Sequence, residues 1–193
     1  MKIPKDELSV YYDHGVDLKN RRVFLKDDID GDSITTVIQG ILALDSMNDK
    51  HEAIELWVGS YGGSEYDMFA LHDATRFVKS PIITVAFAKC MSAAPLLVAC
   101  GKKGERYATP NTYFMIHQSW WESAPQRLEG HQAEISHYKD MDDRWTRLMS
   151  KYTNKDEKFW RSLCRKNHDY YFDANKAIEL GIVDHLWSEK DDE

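Results

Sequence analysis

The sequence predicts an α/β fold with a largely parallel sheet, and three observations lead there. Apolar, β-branched runs at residues 54–58 and 82–87 read as buried strands. Stretches with helical periodicity lie between and after them, so strand and helix alternate, which implies right-handed crossovers. Turns of small residues, Tyr61-Gly62-Gly63 and residues 88–92, follow successive strands. Ligands of open α/β sheets sit beyond the carboxyl ends of the strands, so these two turns are the first place to look for chemistry.

Composition narrows the class. With 193 residues, 42% of them hydrophobic and 12% aromatic, the chain can bury one domain-sized core. A net charge of -7 argues against a nucleic-acid partner, which calls for a basic face. Cys90, Cys100 and Cys164 are odd in number and lack C-x-x-C spacing, so reduced thiols in a cytoplasmic setting are expected, with no disulfide frame and no zinc site. The first residues lack the apolar centre of a secretory signal. The longest uncharged apolar run, residues 90–101, is too short to span a bilayer, so no membrane partner is expected.

The elements follow in order. Residues 1–20 are polar, carry Tyr11, Tyr12 and an Asp13-His14-Gly15 turn, and read as an N-terminal arm. Residues 22–25 form a short strand. Asp32 or Ser33 then caps a helix whose apolar residues Ile34, Val37, Ile38, Ile41 and Leu42 share one face. After the strand at 54–58, a helix at about 65–78 carries Met68, Leu71, Thr75 and Val78 on one side. Ser80-Pro81 ends it, and the strand at 82–87 begins. Residues 93–100 read as an apolar helix stopped by Gly101. Strands at 106–108 and 112–116 flank the Pro110-Asn111 turn, and the second delivers His117 at its end. Residues 126–152 form the longest helical pattern, with a narrow seam of Tyr138, Met141, Trp145, Leu148 and Tyr152 that has to bury against something, another subunit included. Asn154 caps a helix carrying Phe159, Trp160 and Leu163. Asp173 caps residues 174–180, which stop at Gly181, and residues 182–187 close the domain as a strand. The acidic tail at 189–193 is solvated.

Ser92 sits where a strand hands over to a helix. Its neighbours Ala93 and Ala94 leave space beside the hydroxyl, and the free amides of a helix start can stabilise a developing negative charge. The plainer reading is a helix cap. His117, at a strand end, is the best placed base among eight histidines, against the alternative of a structural histidine. Gly62-Gly63 can bring backbone amides close to a carbonyl, or can be an ordinary turn. His131, Glu134 and His137 share the long helix without His-Glu-x-x-His spacing and read as a solvated face, so no metal is expected. Cys90 reads as a small buried thiol. Neither a phosphate-binding loop nor a dinucleotide fingerprint is present, so no cofactor is expected.

Together these residues resemble the proteolytic-subunit family of the Clp protease over about residues 21–186. The matching pieces are Val23-Phe24-Leu25 with Ile29-Asp30, Gly62-Gly63-Ser64, Met91-Ser92-Ala93-Ala94, residues 104–111, Met115-Ile116-His117-Gln118 and residues 177–184, in family order. The resemblance implies a crotonase-like α/β fold with a projecting handle helix at 126–152. It implies a serine endopeptidase in which Ser92 is the nucleophile, His117 the base and Asp169 the third member. By pattern alone Asp173 competes with Asp169. The resemblance further implies an oxyanion hole from the amides of Gly63 and Ala93, and a substrate strand laid along Tyr61, Gly62, Gly63 and Gln118. Its expected partners are copies of itself in stacked heptameric rings forming a tetradecamer, an unfolded polypeptide, and a ClpX- or ClpA-like AAA+ unfoldase near the arm.

Four departures from that family stand out. Ala88 replaces a glycine, Lys89 follows it, Tyr61 replaces a proline, and Ser119-Trp120-Trp121-Glu122-Ser123 replaces a proline and a glycine-rich stretch. They leave room for other readings: a phage head-maturation protease of the same chemistry, a crotonase-type acyl-thioester enzyme, and a catalytically silent ring subunit.

Overall fold

The computed structural model describes residue 10 and residues 13–47, 49–166 and 168–187. Within them the order is β1 (Val16–Asp17), β2 (Arg22–Leu25), α1 (Gly31–Ser46), β3 (Ile54–Ser60), α2 (Glu65–Phe77), β4 (Ile82–Met91), α3 (Ala94–Ala99), β5 (Arg106–Ala108), β6 (Tyr113–Ile116), α4 (Leu128–Tyr152), α5 (Glu157–Cys164), β7 (Tyr170–Asp173), α6 (Ala174–Leu180) and β8 (His185–Leu186). The arm at 1–9, Tyr11 and Tyr12, and the tail at 189–193 lie outside the described residues.

The sheet runs β1-β2-β3-β4-β5-β8, with β6 and β7 branching from β4. The pairs of β2 with β3, β3 with β4, β4 with β5 and with β6, and β5 with β8 are parallel. The pairs of β1 with β2 and β6 with β7 are antiparallel. β4 is long enough to serve two partners on one edge. Its first half pairs β5 at Thr84, Val85 and Ala86, and its second half pairs β6 at Lys89, Cys90 and Met91. Ala88, with φ of 56°, bends the strand between the two halves.

The apolar runs account for the layers. Ile54, Leu56 and Val58 of β3 are fully buried, as are Ile41 of α1 and Leu71 of α2. All six residues of α3 are buried, as expected of a helix apolar on every side. On the other sheet face, Trp57 meets Phe24, Phe87 and Trp187 at 5.8, 6.0 and 5.1 Å between ring centroids, and Arg22 lies over its ring. These rings remain half-buried in the single chain.

Local chemistry shifts several expected boundaries. Asp30, not Asp32 or Ser33, caps α1, and Ser33 is its reciprocal partner in a capping box. Asp156, not Asn154, caps α5, because its carboxylate accepts from the Phe159 amide at 2.8 Å. Asn154 instead donates its amide to the Leu180 carbonyl at 3.0 Å, against the left-handed Gly181 that ends α6. The loop-like region before residue 20 contributes β1, whose Val16 is buried. Strand β7 has no counterpart among the expected elements. Of the expected seam of α4, Met141 and Trp145 are buried and Tyr138, Leu148 and Tyr152 half-buried; Met149 is buried in the last turns, while residues 131–140 are half-buried or exposed. Among the described residues no helix is long and apolar enough to cross a membrane.

One polar residue ties the layers together. Arg106, only 2% exposed, donates to both carboxylate oxygens of Asp184 at 2.8 and 2.6 Å. It also donates to the carbonyls of Ala99 and Tyr152, at the ends of α3 and α4. Burial alone would push the Asp184 carboxyl up, but Arg106 and the amides of Gly104 and Arg106 outweigh it and hold it below its ordinary value. Stability from this ionisation is present above the unfolded carboxylate range and is lost as pH falls through the depressed folded value. Replacing Arg106 with Ala removes the countercharge of Asp184, which keeps only the amides of Gly104 and residue 106, and removes the guanidinium donor to two helix carbonyls. Chemical denaturation is expected to show a loss of about 3–5 kcal/mol at neutral pH, shrinking as Asp184 is protonated.

Candidate active site

Three neighbouring strands end at one place. β4 pairs β6 with Met91 beside Met115, and β6 pairs β7 with Ile116 opposite Tyr170. Each candidate residue lies one position past such a pair: Ser92 after β4, His117 after β6, Asp169 before β7. Register alone therefore sets His117 opposite Asp169. Asp173 sits across from Tyr113 at the far end of the pair and caps α6 through the Lys176 amide at 2.8 Å.

Ser92 is no helix cap. Its φ is 57°, and α3 begins two residues later from an N-cap at Ala93 without any side-chain cap bond. The left-handed turn is held by the Ser92 amide, which donates to the Met115 carbonyl at 2.8 Å. The turn presents the Ser92 Oγ at 2.7 Å from His117 Nε2. His117 Nδ1 lies 3.7 Å from Asp169 Oδ1, an ion-pair distance longer than a hydrogen bond. The Tyr171 hydroxyl donates to the other Asp169 oxygen at 3.2 Å. The Asp169 side chain is 46% exposed and that of His117 22%.

The paired glycines are required by space. Gly62 and Gly63 have φ of 100° and 145°. A Cβ at Gly62 would stand 2.6 Å from Ser92 Cβ and 3.0 Å from the Ala93 amide nitrogen, and one at Gly63 would strike the Ile29 carbonyl. Ile29 uses the Gly62 carbonyl and the Ser64 amide, each at 2.7 Å. Alternation along an extended segment puts the Gly63 amide on the opposite edge. The buried Ser60 hydroxyl accepts from the Gly62 amide at 3.0 Å and fixes the turn from below.

A cleft of about 540 Å³ opens beside Ser92. Tyr61, Gly62, Gly63, Ser92, Ala93 and His117 line it, so the structure brings together every expected site residue except Asp169 and Gln118. Asp169 reaches the site through His117. Gln118 lines a second depression with Lys139 and Arg161, which His117 and Ser119 also border, and it does not line the first cleft. Sequence reasoning missed the far wall. The Ser119 hydroxyl bonds Glu65 and also Asp142, the latter at 2.9 Å. Burial pushes the Glu65 carboxyl up, and the charge of Asp142 adds to this; burial likewise raises Asp142. Only Ser119, one of two serines in the replacement segment at 119–123, hinted at such a tie.

Two departures meet in space. The Lys89 ammonium lies 3.7 Å from the centroid of the Tyr61 ring, at the rim of the cleft. Cys90 is buried and its thiol is pushed well up by burial, which removes it as a nucleophile.

Comparison with known proteins gives the same direction. A sequence profile described as Clp protease matches residues 5–190. The chain is 28% identical over 172 residues to a protein of Deinococcus radiodurans named ATP-dependent Clp protease proteolytic subunit, covering 88% of this chain and 81% of that one.

Ala88 holds a left-handed φ on an exposed position, which costs an alanine about 1–2 kcal/mol, offset by about 0.5–1 kcal/mol of backbone entropy that glycine adds. Ala88→Gly is therefore expected to raise stability by about 0.5–1 kcal/mol in a denaturant titration.

Proposed function

Since the chain belongs to the Clp protease family, we propose that it is a serine endopeptidase, the proteolytic subunit of an ATP-dependent protease. The observation that carries this reading is the 2.7 Å contact of the Ser92 hydroxyl with His117 Nε2 beside the Gly62-Gly63 turn. An extended peptide lies against Tyr61-Gly62-Gly63 as an added strand, held by main-chain hydrogen bonds. His117 Nε2 accepts the hydroxyl proton as Ser92 Oγ attacks the peptide carbonyl. The amides of Gly63 and Ala93 receive the oxyanion. His117 then gives the proton to the departing amine, which leaves an acyl-Ser92 ester. Water, deprotonated by the same imidazole, hydrolyses that ester. Asp169 holds Nδ1–H toward itself and offsets the imidazolium charge once the 3.7 Å gap closes to a hydrogen bond. Catalytic hydrogen bonds that are long without substrate and tighten with it are common.

Rings and chambers belong to the same proposal. The expected protease domain at 21–188 gains β1, since Val16–Asp17 pairs β2 and Val16 is in the core, so the arm of the proposal is limited to residues before β1. The half-buried aromatic face around Trp57 and the exposed first half of α4 are surfaces that neighbours would cover, which supports stacked heptameric rings and docking of a AAA+ unfoldase. Three free cysteines and the bacterial relative support a cytoplasmic setting. The acyl-thioester and silent-subunit readings make no use of the Ser92–His117 contact.

Two measurements test the chemistry. Ser92→Ala is expected to assemble normally and to lose at least about 10⁴-fold in cleavage of a fluorogenic peptide, and a fluorophosphonate is expected to label only the wild type. Full activity in a clean Ser92→Ala preparation rejects the assignment. Asp169→Asn is expected to lower kcat by about 10²–10⁴-fold with KM nearly unchanged, whereas Asp173→Asn costs about 1 kcal/mol of stability through its lost charge at the helix cap and leaves kcat alone. A wild-type kcat in Asp169→Asn removes that residue from the mechanism.

A further inference from the structure

We propose that the cleft beside Ser92 selects substrates with a lysine or arginine at the residue whose carbonyl is attacked, and that Glu65 recognises the positive charge. This rests on the peptidase reading above. Among the described residues lining the cleft, the carboxylates are Asp28 and Glu65, and no lysine or arginine lines it. Its walls are aromatic: Tyr66, Trp121, Tyr138 and Trp145 surround the space beyond His117. Trp121 stacks on Tyr138 at 4.5 Å between centroids, and the Tyr66 hydroxyl is 2.6 Å from His137 Nε2, so these rings are held in place. A cation gains from ring faces and from a carboxylate, while its alkyl stem lies along Met115 and Met141. A substrate carboxylate would find like charge and no partner. The rim already shows this chemistry, with the Lys89 ammonium over the Tyr61 ring at 3.7 Å.

The hydroxyl of Ser119 adds a signature. It carries one proton and touches carboxylates on two sides, Glu65 and Asp142. An empty cleft is best satisfied when the pair holds one extra proton. Glu65 faces Ser119, Asp142, His137, Tyr138 and Cys164; Asp142 faces Ser119, Asp143, Cys164, Arg161 and Arg165. A bound lysine or arginine takes the place of that proton. The preference for a cation over a neutral side chain of the same shape therefore grows as pH rises. A pH effect on the chemistry the two substrates share cancels in their ratio.

The test uses the full-length assembled protein and blocked fluorogenic tripeptide amides differing only in the last residue: arginine against citrulline, lysine against norleucine, and glutamate. The expected result is a kcat/KM for arginine about tenfold above citrulline near neutral pH, shrinking as pH is lowered, with glutamate poorest. E65Q is expected to bring the ratio within about twofold and to flatten its pH dependence. Each ratio comes from one preparation, so partial misfolding of the variant does not distort it. A second readout is the concentration of argininal or norleucinal peptide that halves fluorophosphonate labelling of Ser92. Equal handling of cationic and neutral partners, or an undiminished ratio in E65Q, overturns this proposal alone. No cleavage together with no labelling overturns the peptidase reading and this proposal with it.

Discussion

The site depends on one constraint, the register of β6 between β4 and β7. Parallel pairing on one side brings the end of β6 level with the end of β4, and antiparallel pairing on the other brings the start of β7 level with both. A slip of one residue in either ladder would send the following side chain to the opposite face. Ser92, His117 and Asp169 share one edge because backbone hydrogen bonds, not side-chain attractions, put them there. The fork in β4 makes this possible, since a single strand could not otherwise give its first half to β5 and its second to β6. The backbone turn at Ala88 is the cost of the fork, and the clamp of the buried Arg106 on Asp184 steadies the elements behind it.

Much of this was legible in the chain itself. The alternation of apolar runs and helical faces reads directly as α/β, since each pattern repeats at the period of its own geometry. Ser92 and His117 announce themselves as polar residues at the ends of apolar strands. The choice between Asp169 and Asp173 was not legible by pattern, because it turns on pairing between strands more than 50 positions apart, and the four residues Tyr170–Asp173 carry no distinctive strand signal. The cap of α1 was misplaced by two or three residues for a similar reason: Asp30, Asp32 and Ser33 are all competent cap types, and only the observed bonds choose among them. Gln118, which the resemblance implies for the substrate bed, lines the neighbouring depression that shares His117 and Ser119 with the cleft.

The tie of Glu65 to Asp142 through Ser119 belongs to a different level. Each residue looks ordinary where it stands: an acidic group in the first turn of α2, another on the face of α4, and a serine in an irregular segment. Only the fold brings them together, and Ser119 belongs to the 119–123 segment read as a departure from the family. The tie thus builds the far wall of the cleft beside the Ser92–His117 contact.

The contact of Lys89 with Tyr61 bears on how such a chain diverges. Each of the two positions differs from the family, and each residue supplies what the other lacks, a cation for a ring and a ring for a cation. A contact of this kind at an exposed rim is worth about 0.5–1 kcal/mol, so either change alone would have been tolerated without the benefit that comes with the second. The pair is therefore energetically coupled: removing either partner leaves the other without its contact, so a substitution at one position reads differently according to what stands at the other.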